Sequence, residues 1–214
     1  MATHATEIYL VRHGETTLTN AKQYVGATDI PLSEHGRTQA QRLSEKLRDT
    51  HFDACYCSPL GRCRETAQII AAPHQLALNI VDALREIDYG KWELLTVSEM
   101  KALRPDIYVE WERDPANVQA PEGESGDEVL ARIRPAFDAL AAAHPGQRIL
   151  IVAHRTVNRI WLCHLLGHPI AAYRSAVGQD LTALNVLRYD PEVAPHFSVV
   201  LMNDTTHLNV NTRH

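Results

Sequence analysis

Arg148 to Ala153 reads Arg-Ile-Leu-Ile-Val-Ala, a nearly continuous apolar run with none of the alternation of a half-wet strand. Such a run must be covered on both faces, the position of an inner strand in a parallel sheet. Other segments of strand length follow the same logic: Ile8 to Val11, Ala54 to Cys57, Leu78 to Val81, and two late strands near Ala183–Tyr189 and Ser198–Met202. Segments of helical period lie between them. Ser33 is placed to cap a helix whose buried stripe is Ala40, Leu43 and Leu47. Ser58-Pro59 suits an N-cap and first helical position, opening a helix through about Ala71. Ser125-Gly126-Asp127-Glu128 is a capping box for a helix burying Val129, Ile133, Phe137 and Leu140. A further helix runs from about Val157 to Leu166 and stops at Gly167, with Pro169 behind it.

This strand-then-helix order predicts an α/β fold with a mainly parallel central sheet flanked by helices on both faces. Residues 95–122, broken by Pro105, Pro115 and Pro121, read as a small insertion of short helices and loops. A chain of 214 residues, 45% hydrophobic, is long enough for one sizeable core, so a single domain over 1–214 is expected.

Charge and cysteine usage narrow the class. Twenty-six acidic against 21 basic side chains give a net charge of −5, which argues against a nucleic-acid or anionic-membrane partner. No apolar stretch reaches the ~18 residues of a membrane span, and MATHATEIYLVRHGE has no basic leader followed by a long apolar run. Four cysteines do not suggest a disulfide framework, so a cytoplasmic protein is expected. Cys55 and Cys57 share one face of a strand; a zinc pair is the sharper reading, core packing the commoner one.

Ligands of such sheets bind beyond the carboxyl ends of the strands, and two strands here end in histidine, at His13 and His154. A neutral imidazole nitrogen attacks phosphorus well. Arg12 beside His13 supplies a fixed charge with fork geometry for phosphoryl oxygens, and Gly14 lets backbone approach closely. Arg62 stands in the first turn of a helix that follows a strand, where free N–H groups favour anions. His154 could donate to a phosphate oxygen, and Glu86 could serve as general acid for a leaving oxygen.

Arg12-His13-Gly14-Glu15-Thr16, Asp29-Ile30-Pro31-Leu32, Ser58-Pro59-Leu60-Gly61-Arg62 with Thr66-Ala67, Leu84-Arg85-Glu86 with Gly90, Trp92 and Glu93, Gly123-Glu124-Ser125, and Val152-Ala153-His154 with Arg159 occur in that order. Together they resemble the histidine phosphatase superfamily, the phosphoglycerate-mutase-like enzymes, over roughly residues 8–208. The resemblance implies a phosphomonoester hydrolase acting on a small phosphorylated metabolite. His13 would take the phosphoryl group, while Arg12, Arg62 and His154 hold its equatorial oxygens. Glu86 would protonate the leaving group and then help water attack the phosphoenzyme. It implies no cofactor and no metal, since the arginines carry the charge, and it allows a homodimer.

Departures from the family pattern fall on the substrate side. Arg155 replaces the glycine usual after the second histidine, either as a cation at the pocket mouth or as a partner for an acid. Leu94 replaces a glycine after Trp92-Glu93, Gln23 replaces a common arginine, and the usual asparagine near the first motif gives way to Thr19 with Asn20 beside it. Thr19, Asn20, Gly26 and Arg155 are therefore the candidate substrate-binding residues. A phosphoglycerate mutase is the alternative; it would need a longer chain and extra basic residues closing the site, whereas the tail after Asn203 is polar. A non-catalytic phosphate-binding scaffold is the alternative of a different class, and retention of the five candidate catalytic groups weighs against it.

Overall fold

The computed structural model describes residues 5–209. Strands β1 (Thr6–Arg12), β2 (Ala54–Cys57), β3 (Leu78–Ile80), β4 (Arg148–Ala153), β5 (Leu184–Tyr189) and β6 (Phe197–Asp204) form one sheet in the order β3-β2-β4-β1-β5-β6. The pairs β3·β2, β2·β4 and β4·β1 are parallel. The pairs β1·β5 and β5·β6 are antiparallel. The short loop 190–196 between the last two strands permits only an antiparallel return.

β4 explains its own composition. Ile149, Ile151 and Ala153 point into one core and Leu150 and Val152 into the other, so both faces are apolar. Helices α1 (Glu34–Leu47) and α2 (Gly61–Ala71) cover one face, burying Leu43, Leu47, Ala67 and Ile70. Helices α5 (Gly126–Ala142) and α6 (Arg155–Leu165) cover the other. There Phe137 and Trp161 stack with ring centroids 4.7 Å apart. The insertion forms α3 (Val97–Leu103) and α4 (Pro105–Arg113), anchored by the buried rings of Tyr108 and Trp111 against Trp92. Among the described residues, no helix is long and apolar enough to cross a membrane.

Ser33 caps α1 through Gly36, and the Ser125–Glu128 capping box forms in both directions, as the spacing predicts. Three details differ. Leu140 is only half-buried, and Ala141 completes the α5 stripe. α6 begins at Arg155, directly after His154, two residues earlier than expected. α2 begins at Gly61 rather than at Pro59, because its capping group comes from elsewhere: both Asp29 carboxylate oxygens lie 2.9 Å from the Gly61 nitrogen. Ser58 is thereby released from capping. Cys55 and Cys57 pack side by side in the core under α2, and burial pushes their thiols up to about 12 and about 11.

Candidate active site

β1 and β4 are neighbours with Arg12 opposite Ala153, so His13 and His154 leave adjacent strands at the same edge of the sheet. Their rings lie 5.3 Å apart, centroid to centroid. The turn after His13 runs so close to α1 that a Cβ on Gly14 would sit 2.6 Å from the Gly36 carbonyl oxygen. The Gly14 N–H donates to Thr66 Oγ1 at 3.1 Å, tying the turn to α2.

His13 Nδ1 lies 2.8 Å from the Gly14 carbonyl oxygen, which can only accept, so Nδ1 carries the proton. Nε2 has no hydrogen-bond partner among the described residues, and the residue lines the cleft. Burial, with Arg62 and Arg12 adding positive charge nearby, holds the imidazole well below its ordinary 6.5. The ring is therefore neutral at physiological pH, with a lone pair on Nε2.

Arg62 is 1% exposed, yet its charge is held by backbone dipoles rather than by an acid. Its Nη1 donates to Thr28 O at 2.8 Å, its Nη2 to Gly26 O at 2.7 Å, and its Nε to His154 Nδ1 at 3.3 Å. A guanidinium has five N–H groups, so two remain for a ligand. The loop supplying those carbonyls is itself clamped: the Glu93 carboxylate accepts N–H bonds from Gly26, Ala27, Thr28 and Tyr89 at 3.0–3.2 Å. Gly26 is glycine because a Cβ there would meet Ile87 O at 2.0 Å and the Glu93 carboxylate at 2.5 Å.

His154 is fully buried and does not line the cleft. Its Nδ1 accepts from Arg62, so its proton sits on Nε2, 2.7 Å from Ser58 Oγ. The sequence places a phosphate-donating N–H here. In this arrangement Nδ1 is an acceptor with no proton to give a phosphoryl oxygen, and the ring instead braces Arg62 from behind.

Arg12 donates from Nη1 to Gln179 O at 2.8 Å, and its buried Nε has no partner among the described residues. Burial, then Arg155, push it down to about 9, which leaves it charged at neutral pH. Glu86 is 4% exposed; its carboxylate accepts N–H bonds from Ile87 at 2.9 Å, Thr156 at 3.1 Å and Val157 at 3.3 Å. It thus caps α6, a task the His154 side chain does not perform.

His13, Arg12, Arg62 and Glu86 all line one cleft of about 770 Å³. Thr19 and Arg155 also line it, while Asn20 is exposed outside it and Gly26 lies behind Arg62. Of the two roles left open for Arg155, the structure favours the pocket: it reaches the cleft and has no acidic partner within 4.0 Å among the described residues. The tail is less remote than its polarity suggests, since Leu208 reaches the rim and His207 bonds Thr182 Oγ1 at 2.9 Å. Lys22, Arg174 and the clamp residue Glu93 were not singled out as site residues by spacing. Among the described residues there is no cluster of three or more His, Cys, Asp or Glu side chains that could hold a metal ion.

The model of the histidine phosphatase superfamily (branch 1) matches residues 8–205. The chain belongs to the histidine phosphatase superfamily. It is 31% identical over 202 residues to phosphoserine phosphatase 1 of Hydrogenobacter thermophilus, covering 94% of each chain. It is also 31% identical over 206 residues to a protein of Erwinia tasmaniensis named "Probable phosphoglycerate mutase GpmB", again covering 94% of both. Among solved structures it matches Bacillus stearothermophilus YhfR with a TM-score of 0.88 at 28% identity, over 95% of this chain and all of that one. Shared ancestry accounts for the ordered motifs. The cleft of this histidine phosphatase is strongly basic: Lys22, Arg12, Arg62, Arg155, Arg159 and Arg174 line it, and among the described residues its carboxylates are Glu86 and Asp180.

Proposed function

We propose that this histidine phosphatase hydrolyses phosphomonoesters of small metabolites through a phosphohistidine on His13. The observation that carries the reading is the His13 imidazole, fixed through Nδ1 with Nε2 free, in a cleft shared with Arg12, Arg62 and Glu86. The Nε2 lone pair attacks phosphorus as the bond to the ester oxygen breaks. Arg12 and the two free N–H groups of Arg62 hold the oxygens on which charge spreads, and being preset they need no reorganisation. Glu86 gives its proton to the departing oxygen. Water then attacks phosphorus as its bond to Nε2 breaks, Glu86 takes a proton from that water, and inorganic phosphate leaves with His13 restored. The named relatives point the same way, since phosphoserine phosphatase 1 is a phosphatase by name.

Phosphoglycerate mutase is the second reading. The four cations beyond Arg12 and Arg62 favour it, because a mutase needs basic residues around its phosphoenzyme and the sequence alone did not show them gathered there. We also infer a cytoplasmic setting, which suits four buried thiols.

The test supplies p-nitrophenyl phosphate in EDTA and looks for acid-labile phosphate on the protein. Wild type should turn over and trap phosphate, and His13→Ala should do neither; equal turnover by both proteins overturns the mechanism. With 3-phosphoglycerate, phosphate release should outpace formation of the 2-isomer, and the opposite order selects the mutase.

A further inference from the structure

A transferring phosphoryl group carries at most two negative charges, and Arg12 and Arg62 beside His13 already match it. Three more arginines line the same cleft and have nothing to do in that step. Arg155 and Arg159 are four residues apart on α6 and so share one face of the helix. Arg174, on the short helix Tyr173–Ala176 (α7), lies with its guanidinium 3.6 Å from the centroid of the Trp111 ring and donates from Nε to Tyr173 Oη at 3.2 Å. Stacking fixes the plane of the fork, and the lateral N–H groups are what it has left to offer.

These side chains are placed as if for an anion that the protein itself does not supply. None has an acidic partner within 4.0 Å among the described residues. Arg159 Nε and Arg174 Nη2 are buried without a hydrogen-bond partner among the described residues. Asp180, the one carboxylate lining the cleft besides Glu86 among the described residues, accepts from Asn203 Nδ2 at 2.9 Å. Burial and the neighbouring Arg155 lower Arg159, the mark of cations crowded together. Buried donors left unpaired are costly, and like charges gathered without an acid repel one another. An anionic ligand removes both penalties at once.

We propose that Arg155, Arg159 and Arg174 form a second-anion subsite, so that the preferred substrates are phosphomonoesters carrying a further carboxylate or phosphate. Trp111 gives the insertion a part in it, since α4 sets the ring on which Arg174 rests. The inference rests on the phosphatase reading above, and the test separates the two.

Three esters on a three-carbon frame serve as probes: 3-phosphoglycerate, propane-1,3-diol bisphosphate and glycerol 3-phosphate, the last with no second anion. For wild type, kcat/KM for at least one doubly anionic ester should exceed that for glycerol 3-phosphate by about tenfold or more. Which of the two leads distinguishes carboxylate from phosphate. In Arg155→Gln, a change at an exposed position, and in Arg155→Gln/Arg159→Gln, that ratio should fall stepwise towards one, with KM carrying most of the change. Equal kcat/KM for all three esters in wild type, or an unchanged ratio in the double variant, overturns the subsite. Failure of wild type to release phosphate from any of them, or from p-nitrophenyl phosphate, overturns the phosphatase reading instead.

Discussion

Glu93 holds Arg62 in place at one remove. Its carboxylate gathers the N–H groups of Gly26, Ala27 and Thr28, and the carbonyls of Gly26 and Thr28 then accept both terminal nitrogens of the guanidinium. A buried cation is thus positioned by peptide dipoles that a distant acid has aligned, leaving its own charge free for the substrate. Loosening the loop by about 1 Å is enough to cost on the order of a hundredfold in rate. Glu93→Ala should therefore lower kcat/KM by about 10²-fold and weaken inhibition by vanadate in parallel. Glu93→Gln, which keeps one acceptor oxygen, should recover part of both. Full activity in Glu93→Ala would show that Arg62 holds its position without the clamp.

Glu86 should reveal itself through the leaving group. A poor leaving oxygen needs a proton as its bond to phosphorus breaks, and general acid catalysis is typically worth about 10²–10⁴ in rate. Glu86→Gln should lose that much on alkyl phosphates and far less on p-nitrophenyl phosphate, whose phenolate departs unaided. Equal losses on the two substrates would assign Glu86 to the capping of α6 alone, where Thr156 and Val157 already bond it.

Asp29 is the third case, because it caps α2 from outside the helix. Loss of an N-cap side chain costs about 1 kcal/mol. Asp29→Ala should lower the urea midpoint accordingly, with an unchanged m-value. Since α2 carries Arg62 in its first turn, kcat/KM should fall as well. Asp29→Asn, which still accepts from Gly61, should restore most of the stability.

Stability should also depend on pH with a definite sign. Burial holds His13 and His154 well below 6.5, and burial with Lys46 nearby holds His207 down to about 4. The unfolded chain binds protons at 6.5 that the native one refuses, so stability is fully present above 6.5 and declines as pH falls below it. For His207 the decline spans pH 6.5 to about 4; for the two buried histidines it continues further down. Melting temperatures taken from pH 8 to pH 4 should follow this course. His207→Gln, whose amide can still reach Thr182, should flatten the curve between 6.5 and 4. A melting temperature that rises on acidification contradicts the sign.

How far the sequence foretold this molecule depends on the range over which each cause acts. β4 was legible to the residue because every side chain of Arg-Ile-Leu-Ile-Val-Ala reports its own burial. The α5 cap was legible because both partners lie within four residues. The start of α2 was not, since Ser58-Pro59 is a sound local cap that a remote carboxylate displaced. The motif order placed His13, Glu86, Arg12 and Arg62 in one cleft, yet only the fold shows that His154 faces Arg62 and Ser58. Arg174 carries no signal at all along the chain; what makes it part of the cleft is an indole ring from the insertion.

Arg12 and Ala153 sit opposite each other on adjoining strands, and that pairing divides labour within the chain. Arg12 and His13 are anchored to the rigid centre of the sheet. The groups that would judge the rest of the molecule come from a loop at Lys22, one face of a helix and a side chain propped on the insertion. The latter positions can change without altering the strand that carries the former. New preferences can then arise by replacing rim segments, as a tool changes its jaws while keeping its handle.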